Sequence, residues 1–286
     1  MTRAPSDNSR IDTWDSVAYL GPAGTHSHAA VRKYFGDKRP GLPVVEISDV
    51  FARVEEGLCE FGLVPVENST EGSVAMTLDC FSTSAVTICA EVMLRIHHFF
   101  LVAEQTDPDA LLRIVSHQQS LAQCRKWLND HYPGLERVSV SSNAEAARIA
   151  SQQPGVAAIA GKTAAELYGL RVLASEIEDS RDNTTRFLVI SRTRGRTKAG
   201  KHNKTSIIIS TSNKPGALFK ALEPFHRFDI SLIKLESRPS RLVTWDYSFY
   251  VDFEGHVDDE RVRQALAELQ AHALEVKILG SYPVAI

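Results

Sequence analysis

Two α/β lobes followed by a smaller α+β domain make up the architecture this sequence predicts, and three observations carry the prediction. Short apolar runs alternate with helical patterns in a βαβαβ rhythm from residue 17 to about residue 66. A second α/β rhythm runs over residues 114–160, and the β-rich stretch 86–102 lies between the two. After residue 204 the order becomes β, α, β, β, α, β to the end of the chain, which is the ferredoxin-like arrangement.

Val17–Leu20 reads as the first strand, with a helix from Ser27 to Phe35 after it, and Val44–Ile47 as the second strand. The next helix starts from Asp49, with Phe51, Val54 and Leu58 on one face and Ser48 or Asp49 as its cap. Phe61–Val66 is the third strand, and the rhythm implies a parallel sheet covered by helices on both faces. The stretch Val86–Val102 is read as a crossing between lobes. Ile114-Val115, Val138–Val140 and Val156–Ala160 supply strands of the second unit, and helices start near Ser120, Ala144 and Lys162. The strand containing Phe187–Ile190 comes last, and two crossovers between lobes leave a cleft, as in bilobal binding folds.

Residues 1–16 read as a polar tail, 17–191 as the two-lobed domain and 205–286 as the C-terminal domain. Between them, 192–204 carries Arg192, Arg194, Arg196, Lys198, Lys201 and Lys204 with Gly195 and Gly200, the composition of a flexible linker. A nucleic-acid arm is the minority reading of that run, which lacks aromatic residues. In the C-terminal domain a helix is expected over Pro215–Phe228, with Pro215 in its first turn and Asn213 as cap.

At 286 residues, with 43% hydrophobic and 23% charged residues, the chain has the length and composition of a soluble protein of two domains, or of one large domain plus a small one. A formal charge of −3 offers no general attraction to nucleic acid or anionic membrane. Cys59, Cys80, Cys89 and Cys124 have neither paired spacing nor histidines at zinc-site intervals, so reduced thiols are expected, with no metal and no disulfide framework. Asp7, Asp12 and Asp15 in a start without an apolar stretch argue against a secretory or transit signal, and no run is long enough to span a membrane. The expectation is a cytoplasmic protein.

Four segments stand out at predicted strand ends. Gly21-Pro22-Ala23-Gly24-Thr25-His26-Ser27 joins the first strand to its helix, and its two glycines and hydroxyls suit either an anion-binding helix start or a structural turn. It lacks the third glycine of a dinucleotide fingerprint. Glu67-Asn68-Ser69-Thr70-Glu71 ends a buried strand in polar residues, which places Glu67, Asn68 and Ser69 at a ligand crevice. Capping of the following helix by Ser69 or Thr70 would explain one of them but not the run.

Ser116-His117-Gln118-Gln119-Ser120 opens a helix continuing through Gln123 and Cys124. Here His117 is a capping or hydrogen-bonded residue in preference to a general base, since no partner carboxylate is identifiable. His97 and His98 point to opposite faces of a strand and make a poor metal site. The fourth segment, Asp182-Asn183-Thr184-Thr185-Arg186-Phe187, sets a hydroxyl beside a fixed cation at a strand mouth, which suits a small anionic substrate.

Together these segments resemble prephenate dehydratase: Gly21-Pro22-x-Gly24-Thr25-x-Ser27, Pro65-x-Glu67-Asn68-Ser69-x-x-Gly72-x-Val74, Ser116-His117-x-Gln119 with Gln123-Cys124, and Asn183-x-Thr185-Arg186-Phe187. Asn213-Lys214-Pro215-Gly216-Ala217-Leu218 and Leu235-Glu236-Ser237-Arg238-Pro239, with Trp245, resemble the ACT regulatory domain of that family. Gln118 stands where the family has proline.

The resemblance implies a periplasmic-binding-protein-like catalytic domain, decarboxylative dehydration of prephenate to phenylpyruvate, and feedback inhibition by L-phenylalanine. It makes Thr185, Arg186, Glu67, Asn68, Ser116 and Gln123 the catalytic set, with Thr185 essential and Arg186 gripping substrate. Gly24, Thr25, Ser27, Ser69 and Phe187 are the expected substrate-binding residues. Asn213, Pro215, Gly216, Ala217, Leu218, Glu236, Ser237, Arg238 and Pro239 are expected to bind phenylalanine between ACT domains of a dimer or tetramer.

Aromatisation of the prephenate ring drives the reaction, so no cofactor is expected; the protein orients a dianion and assists the departing hydroxyl. Thr185 is expected to donate to that oxygen, with proton delivery through water or Glu67 as the alternative. Two other readings compete: arogenate dehydratase, which takes an amino group in place of the keto group, and a bilobal amino-acid sensor without chemistry.

Overall fold

The computed structural model describes residues 16–36, 39–192, 202–239 and 247–285. Residues 1–15 of the expected tail, 193–201 of the expected linker and Trp245 lie outside the described residues.

The first lobe is built from β1 (Val17–Leu20), α1 (His26–Phe35), β2 (Gly41–Val44), α2 (Ile47–Glu55), β3 (Phe61–Asn68), β4 (Gly72–Ser73), α3 (Ala75–Thr83) and β5 (Thr87–Arg95). The second holds β6 (Phe99–Ala103), β7 (Arg113–His117), α4 (Gln118–Gln123), α5 (Arg125–His131), β8 (Glu136–Val140), α6 (Asn143–Gln152), β9 (Val156–Ala160), α7 (Lys162–Tyr168) and β10 (Leu170–Ala174). Strand β11 (Thr184–Ser191) then returns to the first lobe, whose sheet runs β2-β1-β3-β11-β5. The second sheet runs β10-β6-β9-β7-β8.

Parallel pairing, expected throughout the first sheet, holds for β1 with β2 and β3. The returning strand β11 pairs antiparallel with both β3 and β5, which makes the sheet mixed. The β-rich stretch 86–102 divides at Ile96–His98, so that β5 serves one lobe and β6 the other. The two crossovers are therefore 96–98 and the segment between β10 and β11.

Several boundaries differ from the sequence reading. Helix α2 begins at Ile47, inside the expected strand Val44–Ile47; Glu46 caps it, and Asp49 completes a reciprocal capping box. That pair of hydrogen bonds sets the start ahead of caps at Ser48 or Asp49. The polar run after β3 is a hairpin turn in place of a helix start: Asn68 Oδ1 accepts from the backbone of Thr70 (2.9 Å) and Glu71 (3.1 Å), and β4 folds back on β3.

The C-terminal domain comprises β12 (Asn203–Thr211), α8 (Ala217–Arg227), β13 (Leu232–Pro239), β14 (Tyr247–Glu254), α9 (Glu260–His272) and β15 (Glu275–Pro283), with sheet order β13-β14-β12-β15. Its antiparallel βαββαβ arrangement matches the expectation. Helix α8 starts two residues later than expected: Gly216, at φ 78°, is its cap, a left-handed conformation that glycine adopts without strain, and Asn213 and Pro215 precede it. Lys204, assigned to the linker by its charge, is a buried residue of β12.

Ile207, Ile209, Val251 and Phe253 pack one face of this sheet against α8 and α9 through Ala221, Phe225, Val262 and Leu269. Ile208, Tyr250, Leu279 and Tyr282 point the other way, into one cluster with Val66, Leu78, Phe81, Ile88, Leu188 and Ile190 of the first lobe. The C-terminal sheet is thus seated on the lobe that carries β3, β5 and β11. Cys59, Cys80, Cys89 and Cys124 are in no disulfide among the described residues, and burial pushes Cys89 up to about 12. Among the described residues no helix is long and apolar enough to cross a membrane.

Candidate active site

A cavity of about 460 Å³ opens between the lobes, a size suited to a small organic ligand. Strand ends supply one wall. Thr185 at the start of β11 lies opposite Asn68 at the end of β3, and both line the cavity. Helix starts supply the rest: Thr25, His26 and Ser27 of α1, Gln119 and Ser120 of α4, and Ser142 and Asn143 of α6. The unsatisfied N–H groups and positive dipole ends of α1 and α6 therefore face one space from opposite lobes. Among the described residues of the lining there is no lysine or arginine.

A chain of hydrogen bonds sets the orientation of Thr185. Because the backbone of Thr70 and Glu71 holds Asn68 Oδ1, the Asn68 amide must turn Nδ2 inward, where it donates to Thr185 Oγ1 and Asn183 Oδ1, each at 2.8 Å. Asn183 Nδ2 then donates to Gln123 Oε1 at 3.3 Å, and the same oxygen accepts from His98 Nε2 at 2.8 Å. Thr185 Oγ1 is already an acceptor in this chain, so its own proton is left to donate elsewhere. Gln123 Nε2 and His98 Nδ1 are buried at the cavity with no hydrogen-bond partner.

A second network spans the lobes. Asn143 Oδ1 accepts from Ser116 Oγ (3.1 Å), Ser120 Oγ (3.0 Å) and His117 N (3.3 Å), which turns Asn143 Nδ2 toward His26 Nε2 at 3.4 Å. Burial between the lobes, and then His98, lower the His26 pKa to about 4; burial also lowers that of His98. Both imidazoles are neutral at pH 7. Glu178 stays ionised nearby: burial would raise its pKa, but hydrogen bonds from His98 N (2.9 Å) and His97 Nδ1 (2.8 Å) outweigh that. No group of three or more His, Cys, Asp or Glu among the described residues could hold a metal ion.

Of the expected catalytic set, the structure brings Thr185, Asn68 and Gln123 together at the cavity. Ser116 is fully buried behind the wall, donating to the Ile159 carbonyl at 2.7 Å and bonding Asn143, so it orients a neighbour. Arg186 and Glu67 face the opposite side of the sheet, because successive strand residues alternate and Thr185 and Asn68 already take the cavity face. Arg186 is 7% exposed, with Nε 2.8 Å from Glu91 and Nη1 2.6 Å from Asp252; Nη2 donates to Tyr282 at 2.9 Å. Burial alone would lower its pKa, yet Tyr282, Asp252 and Glu91 drive it above its ordinary value. Glu67 pairs with Lys234 at 2.9 Å. The assignments of Arg186 to substrate carboxylate and of Glu67 to proton delivery are therefore corrected.

Thr25, Ser27 and Phe187 line the cavity as expected. Gly24 does not: at φ 93° it lies where the lobes touch, and a Cβ there would be 3.4 Å from Ala144 and Ala164. Ser69 also points away, its hydroxyl donating to the Asp182 carbonyl (3.0 Å) and accepting from Thr184 N (3.0 Å), which clamps the two strand ends. His117 caps α4, its Nδ1 accepting from Gln119 N at 3.4 Å. Sequence reasoning missed His26, His98 and Asn143 as site residues and passed over Asn183 as part of a motif. Position within the Gly21–Ser27 turn could have flagged His26, but nothing local distinguishes the other histidine.

In the C-terminal domain, Thr211 and Pro239 both pair with Tyr247, so the loop holding Asn213, Pro215 and Gly216 and the end of β13 lie at the same end of the sheet. The β13 residues divide by face. Ser237 and Pro239 are exposed, whereas Glu236 accepts from Ser73 Oγ at 2.9 Å and Arg238 pairs with Asp79 at 3.1 Å in the first lobe. Glu236 and Arg238 thus serve the contact between domains, a correction to their placement in an effector pocket. Ala217 and Leu218, half-buried, open α8.

Comparison with known proteins agrees with this geometry. Residues 17–195 match the prephenate dehydratase family and residues 205–271 the ACT domain. The bifunctional chorismate mutase/prephenate dehydratase of Stutzerimonas stutzeri is 51% identical over 270 residues, covering 94% of this chain and 73% of that protein. Among solved structures, prephenate dehydratase from Arthrobacter aurescens in complex with L-Phe superposes with a TM-score of 0.88 at 32% identity, over 94% of this chain and 90% of that one. GqqA, described as a novel type of quorum quenching acylase, has a TM-score of 0.87 at 29% identity, over 94% and 98% of the two chains. With two lobes closing on a cavity of amide and hydroxyl donors and a βαββαβ domain seated behind it, this chain belongs to the prephenate dehydratase family and carries a C-terminal ACT domain.

Proposed function

We propose that the interlobe cavity converts prephenate to phenylpyruvate, with Thr185 as the hydrogen-bond donor to the departing hydroxyl. The observation that carries this is the orientation of the Asn68 amide: its Nδ2 donates to Thr185 Oγ1 at 2.8 Å and so commits the threonine proton to a ligand. In the reaction the bond from the ring to its carboxylate breaks and releases carbon dioxide. The freed electron pair enters the ring, and the C–O bond to the hydroxyl breaks. The departing oxygen takes up one proton and leaves as water; with Glu67 facing away, this reading draws that proton from bulk solvent, relayed by water beside Thr185. A preoriented donor at such a position is worth ~10²–10³-fold in rate.

Substrate anions are held without a cationic side chain in this reading. The α1 and α6 N-termini, with Ser27, Ser142 and Gln123 Nε2, offer neutral donors and positive dipole ends from both lobes to a ligand carrying two carboxylates. Neutral His26 and His98 add hydrogen bonding without charge.

L-phenylalanine is the effector in this proposal. It binds at the exposed ACT edge formed by the Asn213–Leu218 loop and helix start with Ser237 and Pro239 of β13, and a second subunit completes the pocket. Phe219, Ile233, Leu235 and Tyr247 leave apolar surface in this domain for that purpose. The test is turnover of prephenate and of arogenate by the same preparation, with and without phenylalanine. A kcat/KM that favours prephenate and falls with phenylalanine is expected. A preference for arogenate, or no turnover of either substrate, would replace this reading.

A further inference from the structure

The strands that carry Thr185 and Asn68 are gripped from behind by the ACT sheet. Arg186, the next residue to Thr185 on β11, is bonded by Asp252 of β14 (2.6 Å) and Tyr282 of β15 (2.9 Å). Ser206 of β12 ties those two together, its hydroxyl 2.5 Å from Asp252 and 2.6 Å from Tyr282. Glu91 of β5 takes Arg186 on one side and Lys204 of β12 on the other, the latter at 2.9 Å. Each domain thus contributes one buried cation and one buried carboxylate, and neither set is complete until the ACT sheet is seated.

A second grip falls on the hairpin that bears Asn68. Lys234 of β13 reaches Glu67 Oε2 (2.9 Å) and Ser73 Oγ (2.8 Å), and Glu236 accepts from the same hydroxyl at 2.9 Å. Ser73 itself lines the cavity. The pairing of β11 with β3 shifts register between Arg186 and Phe187, so the ladder is broken where the grips act and a displacement there need not be shared by the whole sheet. Strand β13 presents these grips on one face and exposed Ser237 and Pro239 on the other.

We propose that Arg186 is a positioning residue for Thr185, and that it and Lys234 transmit the seating of the ACT sheet to the catalytic hydroxyl. Displacement of β13 by an occupant of its exposed face moves the Asn68 hairpin through Lys234 and Glu236; displacement of β14 and β15 moves Thr185 through Arg186. This deepens the function proposed above and rests on it, with phenylalanine as the effector. An effector can act only through a difference in its affinity for two such seatings.

The test uses the full chain with Tyr282→Phe, which removes one Arg186 partner inside the cluster, and Lys234→Met, which removes the grip on the Asn68 hairpin, with thermal unfolding to show that each variant is folded. Lys234→Arg is the conservative control. Prephenate kinetics and calorimetric binding of L-phenylalanine are measured on each. Expected is a 3- to 10-fold fall in kcat at unchanged KM and phenylalanine affinity within about 3-fold of wild type. The factor by which saturating phenylalanine slows turnover should shrink at least 5-fold in Tyr282→Phe and Lys234→Met but not in Lys234→Arg. Folded variants that keep the wild-type factor overturn the proposal while leaving the active-site assignment standing. A wild type that turns over no prephenate, or ignores phenylalanine while binding it, removes the underlying reading and this proposal with it.

Discussion

Replacing Asn68 by aspartate changes a single group in the chain that orients Thr185. In Asn68→Asp the oxygen that accepts from Thr70 N (2.9 Å) and Glu71 N (3.1 Å) is retained, so the hairpin turn keeps both bonds. The amide nitrogen, which donates at 2.8 Å to Thr185 Oγ1 and Asn183 Oδ1, becomes a second carboxylate oxygen. Thr185 must then reverse and donate to the introduced carboxylate, and its proton is withdrawn from the substrate. Loss of one preoriented donor is worth roughly 3–4 kcal/mol, or ~10²–10³-fold in kcat. A new negative charge beside a dianionic ligand raises KM as well. Protonation of the introduced carboxyl restores an O–H that can donate to Thr185, so activity lost at pH 8 should return in part toward pH 5, where wild type shows no such gain. The assay is the pH profile of kcat and kcat/KM for both proteins, with thermal unfolding as control. A variant within about 5-fold of wild type at pH 8, or one whose deficit does not change with pH, would refute the reasoning.

Two further predictions concern stability. A Cβ on Gly280 of β15 would overlap the Ile88 carbonyl oxygen and sit 3.0 Å from its carbon and nitrogen, all backbone atoms of β5. Gly280→Ala should therefore cost about 1–3 kcal/mol by forcing the ACT sheet off the first lobe, read as a lowered Tm; an unchanged Tm would contradict the close seating. His26, held down to about 4 against an unfolded value of 6.5, binds fewer protons folded than unfolded between those pH values. Its contribution is thus complete above about pH 6.5 and lost as pH falls to about 4, by no more than about 3 kcal/mol because part of the ring faces the cleft. His26→Phe or His26→Gln should flatten that part of the acid limb of stability against pH, and an identical limb would count against it.

Much of the fold is legible in the sequence because local signals and burial agree. Alternation of apolar runs with amphipathic helices identifies both lobes and the βαββαβ domain, and the stretch 86–102 reads as a crossing because a run so long cannot serve one sheet. The antiparallel return of β11 is not legible, since pairing direction depends on where the chain comes back and leaves no local trace.

The site is legible by residue type more than by direction. Thr185, Asn68 and Gln123 stand out and meet at the cavity; Arg186 and Glu67 are drawn in with them as sequence neighbours. Period-two alternation already implies that Thr185 and Arg186 cannot both face one cleft, as it does for Glu67 and Asn68. The strength of an Arg beside a Thr as an anion-site signal obscures that geometric rule. Glu236 and Arg238 are misplaced for the same reason on β13. His26, His98 and Asn143 come together only when two lobes close, a relation among distant segments that no single motif encodes.

In the proposed mechanism the Thr185 hydroxyl donates to the leaving oxygen of prephenate in a cleft whose described lining residues include no lysine or arginine. The most direct test is single-turnover conversion of prephenate to phenylpyruvate by wild type and by Thr185→Val, which keeps the shape of the side chain and leaves Asn68 Nδ2 its bond to Asn183. A rate ~10²–10³-fold lower in the variant, with substrate affinity nearly unchanged, is the predicted result. Equal rates, or a loss expressed wholly in affinity, would contradict it.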